Sequence, residues 1–303
     1  MTPKAGRVSM DWRRVAFLSA LVGIATMGDS PLAAQQVPPA VPFAPLESEW
    51  RPIGDDDLLV MLLEGNRRIV IRLAPTYAPD HVANIRALAR SHWWDGESVY
   101  RVQDNWVAQW GDATEKKPLP KGVKALPAAE YDFPIIELAQ HLSRMDAYSR
   151  FSGVSVDGWP IASDGQKSWI PHCYGTVGVA RDAAPDTGTG TELFMPLGGS
   201  ARRLDRNYTV IGRVIEGAQH LSALPRSMAA MGVYDDPAQR SAILWVRLAS
   251  DMPEAERPRY RYRAPDNARF AALIEAKENP MPPTISLGGV DICDLPLEVR
   301  PIP

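Results

Sequence analysis

Residues 99–112 read VYRVQDNWVAQWGD, and they decide the fold that we expect for the whole chain. Two runs rich in β-branched and aromatic side chains, residues 99–102 and 106–109, flank the turn-forming pair Asp104-Asn105. This pattern predicts two antiparallel strands joined by a tight turn.

The predicted hairpin brings a fixed cation close to an amide. Side-chain alternation along the two strands places Arg101 and Gln109 on surfaces that converge, above an apolar floor of Trp106 and Val107. Such an arrangement favours binding of a polar group next to an apolar one. The residues alone are equally consistent with an ordinary hairpin in which Arg101 lies at the solvated edge.

A second pattern lies downstream in three ordered segments. They are residues 175–182 (GTVGVARD), 186–195 (DTGTGTELFM) and 204–214 (LDRNYTVIGRV). The Gly-Thr-Gly run within the middle segment lacks the Lys-Ser/Thr ending and the strand-then-helix setting of a phosphate-binding loop. Nucleotide binding is therefore not indicated.

Together the two regions resemble the cyclophilins, whose active-site motif runs Phe-His-Arg-(apolar)2-Pro-Gly-Phe-Met-x-Gln-Gly-Gly-Asp. The arginine, an aromatic residue, the glutamine and the Gly-Asp ending stand at the family's spacing. The departures are Tyr100 for histidine, Asp104-Asn105 for Pro-Gly, Trp106 for phenylalanine, Val107 for methionine and Trp110 for the first glycine. None of them removes a polar catalytic group.

The resemblance covers roughly residues 58–248 and is to divergent, exported bacterial members. It implies a mainly β fold, a closed antiparallel eight-stranded barrel capped by two helices, and peptidyl-prolyl cis-trans isomerase activity on proline-containing polypeptides. Arg101 would donate to the prolyl nitrogen and Gln109 would bind the substrate backbone, with no cofactor or metal. The groove and proline pocket would be formed by Trp106, Val107, Ala180, Arg181, Phe194, Leu204 and Tyr208.

The same barrel also allows a second function, that of a non-catalytic peptide-binding or chaperone module. Trp106, Trp110 and the insertion described below would narrow its groove. Retention of both Arg101 and Gln109 favours the enzyme, because a pure binder has no need of that arginine.

The N-terminus has the features of a secretory signal peptide over residues 1–34. Two arginines precede an apolar run at residues 15–27, and Pro-Leu-Ala-Ala at 31–34 offers a small-residue cleavage site. A membrane anchor is the alternative, but the run is shorter than the roughly 20 residues of a spanning helix. We expect export to the periplasm as a soluble protein, with residues 35–52 as a proline-rich flexible lead-in.

Composition narrows the remaining possibilities. The formal net charge is −3 and no dense Lys/Arg block follows the leader, so nucleic acid is not an expected partner. The two cysteines, Cys173 and Cys293, predict a disulfide in an exported chain, although two unrelated buried thiols are the alternative. With no CxxC motif and no clustered histidines, the sequence does not indicate a metal site.

The expected isomerase domain spans residues 53–249 and carries an insertion at about 113–174. The insertion fits neither a clean strand nor a long helix, so we interpret it as a long loop region or an inserted subdomain. Its aromatic residues either extend the groove or pin the insertion to the barrel; they are Trp159, Trp169 and Tyr174.

Periodicity predicts the helices. Apolar residues recur on one face over residues 79–90, which begin at a proline, and residues 216–224 suggest a second capping helix. Residues 250–303 form a C-terminal extension that we expect to pack on the barrel, with a helix over 266–277.

Overall fold

The computed structural model describes residues 43–302, so the predicted signal peptide and the first part of the lead-in lie outside the described residues. The described chain contains three α-helices, α1 (Pro79–Arg90), α2 (Ala218–Ser222) and α3 (Ala268–Glu278). Its sixteen strands are β1 (Trp50–Pro52), β2 (Leu58–Leu63), β3 (Arg67–Leu73), β4 (Ser98–Val102), β5 (Val107–Gly111), β6 (Phe133–Pro134), β7 (Leu138–His141), β8 (Phe151–Ser155), β9 (Pro160–Ser163), β10 (Lys167–Trp169), β11 (Thr176–Val179), β12 (Leu193–Pro196), β13 (Val210–Glu216), β14 (Ser241–Leu248), β15 (Tyr260–Arg263) and β16 (Val299–Pro301).

Eight of the strands close into an antiparallel barrel in the order β11-β12-β5-β4-β14-β2-β3-β13. This confirms the predicted fold class. A barrel of eight strands is narrow enough for side chains to fill its interior. Here that core is made of aliphatic residues and tryptophan, including Met61, Ile69, Trp110, Val177 and Ile211.

Helix α1 closes one end of the barrel and spans the predicted residues. Its apolar stripe is buried in the barrel core and consists of Val82, Ile85, Leu88 and Ala89. Glu130 of the insertion accepts hydrogen bonds from the backbone N–H groups of Asp80 (2.9 Å) and His81 (3.0 Å). The first N–H groups of a helix have no partner inside the helix, so this distant carboxylate supplies the N-terminal cap.

The second capping helix is shorter than predicted. Strand β13 continues through Glu216, which pairs with Val70, and Gly217 then turns the chain with φ 86°. Helix α2 is left with five residues, of which Leu221 is buried in the barrel core. Within residues 43–302, no helix is long and apolar enough to cross a bilayer.

Residues 133–169 of the insertion form a five-stranded antiparallel sheet in the order β6-β10-β9-β8-β7, so a long loop is the wrong description of this part. The strands have only two to five residues each, which is too short for a clear alternation in sequence. Trp159 and Trp169 are almost fully buried. They pin the sheet in place and do not extend the groove.

The end of the lead-in is also ordered, which corrects the expectation of a flexible segment through residue 52. Strand β1 pairs with β15, which pairs in turn with β16. Next to β1, the buried side chains of Glu49 and Arg263 form an ion pair at 3.2 Å. Local composition does not reveal this strand, because its partner lies more than 200 residues further along the chain.

The C-terminal extension contacts both the barrel and the inserted sheet. Asn267 caps α3 by accepting from the N–H of Phe270 at 2.9 Å, and Phe270 packs with Trp169 of the insertion. Tyr260 packs on the outer face of the barrel. Cys173 and Cys293 are joined by a disulfide, with their Cα atoms 5.1 Å apart, so the extension is covalently tied to the segment before β11.

Candidate active site

Arg101 and Gln109 are cross-strand partners on β4 and β5. Opposite positions on an antiparallel pair bring side chains into contact, and here Nη1 of Arg101 donates to Oε1 of Gln109 at 3.0 Å. The pairing is irregular between Val99 and Arg101, where the strand carries a bulge. Bulges commonly redirect a side chain near a functional site.

Three protein acceptors hold the Arg101 guanidinium in place. Besides Gln109, they are Oε1 of Gln103, at 2.7 Å from Nη2, and the carbonyl oxygen of Met231, at 2.7 Å from Nε. A guanidinium has five N–H donors in a fixed plane. Two N–H groups of Arg101 therefore have no acceptor among the described residues, one on each terminal nitrogen.

Arg101 lies at the edge of a pocket of about 230 Å³. The structure brings all nine residues that were predicted from the sequence to this one pocket, together with Met231. The lining is formed by Arg101, Trp106, Val107, Gln109, Ala180, Arg181, Phe194, Leu204, Tyr208 and Met231. The site thus combines a fixed cation and an amide with an apolar hollow.

The apolar wall is built around Phe194 of β12, which is 4% exposed. Its ring packs edge-on against Tyr208, with centroids 5.8 Å apart, and stacks on the buried ring of His172 at 5.7 Å. Gly178 of β11 makes room for it, because a Cβ there would lie 2.3 Å from Cζ of Phe194. The guanidinium of Arg181 lies 4.9 Å from the Tyr208 ring and covers one side of the pocket.

Residues 59–247, more than half of the chain, match the family model described as cyclophilin type peptidyl-prolyl cis-trans isomerase/CLD. The chain is a cyclophilin. A probable peptidyl-prolyl cis-trans isomerase of Brucella suis is 25% identical over 185 residues, which cover 60% of this chain and 79% of the relative. An isomerase of Arabidopsis thaliana is 26% identical over 171 residues, or 56% of this chain and 62% of the relative.

The fold has a counterpart in the crystal structure of a cyclophilin from Hirschia baltica. That structure superimposes with a TM-score of 0.65 at 25% identity and covers 83% of this chain and 93% of the other. The family match and the named relatives identify this cyclophilin as a peptidyl-prolyl cis-trans isomerase.

Behind the pocket of this cyclophilin, a chain of hydrogen bonds runs from Arg101 to a buried acid. Nε2 of Gln109 donates to the phenol oxygen of Tyr100, and the phenol donates to Oε2 of Glu192 at 2.7 Å. Every donor points from the cation toward the carboxyl group. The amide of Gln109 is therefore oriented from both ends, with its oxygen toward Arg101.

Burial raises the pKa of Glu192 to about 8, and the nearby carboxylates of Asp112 and Glu115 push it in the same direction. The hydrogen bonds from Tyr100 and from the backbone N–H of Asp112 oppose this shift without cancelling it. Burial also raises the pKa of Tyr100, so its phenol remains a donor at neutral pH. At pH 7 Glu192 is largely protonated.

Two residues at the site, Glu192 and Met231, were not predicted from the sequence. Glu192 lies inside a motif segment, but nothing local indicates that it would contact Tyr100, 92 residues away. Met231 lies in an irregular loop and reaches Arg101 across 130 residues. In the part of the chain that the structure describes, no group of three or more His, Cys, Asp or Glu side chains is arranged to hold a metal ion.

Proposed function

We propose that this cyclophilin isomerises X-Pro bonds by donating a hydrogen bond from Arg101 to the prolyl nitrogen. The observation that carries the proposal is the arrangement of Arg101 itself. Three acceptors hold its guanidinium beside an apolar hollow, and two N–H groups are left for a substrate.

The chemistry requires no covalent step. Amide resonance delocalises the nitrogen lone pair and sets a rotation barrier near 20 kcal/mol. As the bond twists, the lone pair returns to the nitrogen and becomes a better acceptor. A donor placed there binds the transition state more strongly than the ground state, and one such donor is worth about 3–4 kcal/mol.

The other pocket residues hold the substrate still on one side of the rotating bond. Gln109 binds the substrate backbone, and the hollow between Phe194, Leu204 and Val107 takes the proline ring. The part of the substrate on the other side of the prolyl bond then rotates past Arg101. The clients are proline-containing polypeptides.

The test is the cis-to-trans relaxation rate of a short Ala-Pro peptide with wild type, Arg101→Ala and Arg101→Lys. Wild type is expected to accelerate the relaxation, and Arg101→Ala to lose on the order of a hundredfold or more in kcat/KM. The lysine variant is expected to lose most of the activity as well, because one ammonium does not reproduce the planar fork. Arg150→Ala, at an exposed arginine of the insertion, is the matched control and should retain full activity.

A folded wild-type protein that binds the peptide without accelerating its relaxation would overturn the proposal. The non-catalytic peptide-binding module would then be the better description. Activity that survives in Arg101→Ala would instead remove the assigned role of that residue.

We also propose that the clients are exported proteins and that this cyclophilin acts in the periplasm. Two observations support this: the signal-peptide features of residues 1–34, and a disulfide between Cys173 and Cys293, since disulfides persist in oxidising compartments. Expression of the full chain in a Gram-negative bacterium should give a periplasmic protein whose N-terminal sequence begins near residue 35. A cytoplasmic protein that retains the leader would contradict the proposal.

A further inference from the structure

A second pocket, of about 200 Å³, lies where β13 of the barrel meets the inserted sheet and the C-terminal extension. We call it the seam pocket. Most of its wall is apolar, formed by Pro160, Val214, Ile292, Leu295 and the Cys173–Cys293 disulfide. It shares no lining residue with the groove at Arg101, so it is a separate site.

One cation, Arg213, lines the seam pocket. Its Nη2 donates to the carbonyl oxygen of Leu297. Among residues 43–302, no carboxylate forms an ion pair or hydrogen bond with Arg213, although most of the arginines described there have such a partner. Four of its five N–H donors thus have no protein acceptor in the described chain.

The surroundings of Arg213 increase the positive charge there. Its cross-strand neighbour on β3 is Arg72, whose guanidinium lies between the rings of Trp159 (4.7 Å) and Tyr262 (4.2 Å). Burial, and then the charge of Arg72, lower the pKa of Arg213 to about 10. Arg213 is only partly buried, and no acidic side chain lines the pocket beside it. An anion that enters the pocket would therefore complement its charge.

Asp157, the acidic residue that contacts Arg72, does not supply a partner for Arg213. The carboxylate of Asp157 accepts hydrogen bonds from Tyr77 and Ser155, and its backbone oxygen accepts from Arg72 at 2.8 Å. These contacts hold Asp157 beside Arg72 and away from Arg213. It is not part of the seam-pocket lining.

We propose that the seam pocket binds a small organic monocarboxylate, whose carboxylate pairs with Arg213 and whose apolar body packs on the disulfide, Ile292 and Leu295. Arginine pairs with carboxylates through two parallel hydrogen bonds, and the free donors of Arg213 allow this geometry. The cavity of about 200 Å³ has room for several water molecules and so accommodates a carboxylate of about five carbons.

The probe is pentanoate, titrated into the full-length mature protein by calorimetry, with pentanamide as a neutral ligand of the same size. Pentanoate is expected to bind saturably, and pentanamide at least tenfold more weakly. Arg213→Met should weaken pentanoate binding at least tenfold. Arg150→Met, at an exposed arginine, and Arg101→Ala, in the isomerase groove, should leave it unchanged.

The disulfide provides an independent readout, because a ligand seated on it shields the sulfur atoms. Saturating pentanoate is expected to slow reduction of Cys173–Cys293 by dithiothreitol several-fold in wild type and not in Arg213→Met. If Arg213→Met does not fold, the wild-type comparison of pentanoate with pentanamide, in both binding and reduction rate, decides the question.

Three results would overturn the proposal. They are the absence of saturable pentanoate binding to folded wild type, equal binding of pentanoate and pentanamide, and loss of binding in Arg101→Ala. The last would place the ligand in the isomerase groove. None of these results bears on isomerase activity, which is measured separately with the Ala-Pro peptide.

Discussion

The phenol of Tyr100 donates a 2.7 Å hydrogen bond to the carboxyl group of Glu192, close to the groove at Arg101. Tyr100 also accepts from Gln109, which in turn accepts from Arg101. A buried acid is therefore connected to Arg101, the proposed catalytic cation, through two side chains.

The first prediction concerns Glu192 and pH. Its pKa is about 8 in the folded protein against an ordinary 4.5, so the native state keeps a proton that the unfolded chain releases. The stabilisation is fully present below about pH 4.5 and is lost as the pH rises through 8. Over that window this group should lower the free energy of unfolding by about 1.4 kcal/mol per pH unit.

Glu192→Gln removes this titration and keeps an acceptor for Tyr100. Urea unfolding of wild type and variant at pH 5, 6.5 and 8 should therefore show wild type losing stability relative to the variant as the pH rises. A constant difference across the three pH values would show that Glu192 does not titrate in this window.

The second prediction concerns the orientation of Gln109. Tyr100→Phe removes the phenol oxygen, so Nε2 of Gln109 loses its acceptor and the amide is free to rotate away from Arg101. We expect kcat/KM for the Ala-Pro peptide to fall about tenfold, which corresponds to roughly 1.4 kcal/mol. Tyr148→Phe, at an exposed tyrosine, is the control and should keep the wild-type rate. An equal rate for wild type and Tyr100→Phe would show that the phenol does not orient Gln109.

The third prediction concerns Gly111 at the end of β5. Its φ is 146°, and a Cβ would lie 2.2 Å from Oε1 of Glu192. Gly111→Ala should lower the free energy of unfolding by about 2 kcal/mol, through backbone strain and displacement of Glu192. Gly96→Ala, where φ is 82° and no atom lies within 4 Å of the new Cβ, gives the cost of an alanine at positive φ without a clash.

A double-mutant cycle separates the clash from the strain. In a Glu192→Ala background, Gly111→Ala should cost less than it does in wild type, because the side chain that the new methyl group meets has gone. Strict additivity of the two changes would show that Glu192 is not displaced.

The fourth prediction concerns the disulfide, which links residues 120 apart. In the chain-entropy description, a loop of that length stabilises the folded state by up to about 5 kcal/mol. Cys173→Ala with Cys293→Ala should therefore lower the urea midpoint substantially, and reduced wild type should behave like the double variant. A loss below about 1 kcal/mol would show that the extension is held by packing alone.

Much of the barrel and groove was predictable from the sequence. The hairpin of β4 and β5 follows from strand-forming runs around Asp104-Asn105, and α1 follows from a proline start and a regular apolar stripe. The spacing of the remaining groove residues follows the family pattern. These patterns lie within short segments, or in motifs that follow one another in the family's order, so they can be detected without coordinates.

Other features depend on residues that only folding brings together. The sequence by itself determined the β4–β5 hairpin and the first capping helix, because those patterns repeat at the spacing of strands and helices. Its resemblance to the cyclophilins implied the barrel and the nine groove residues. The tertiary structure alone decided that Glu192 contacts Tyr100, that Met231 holds Arg101, and that Arg213 lines a pocket with no acidic side chain in its wall. Each of these contacts joins distant segments, and no local propensity encodes which distant segment a side chain will meet.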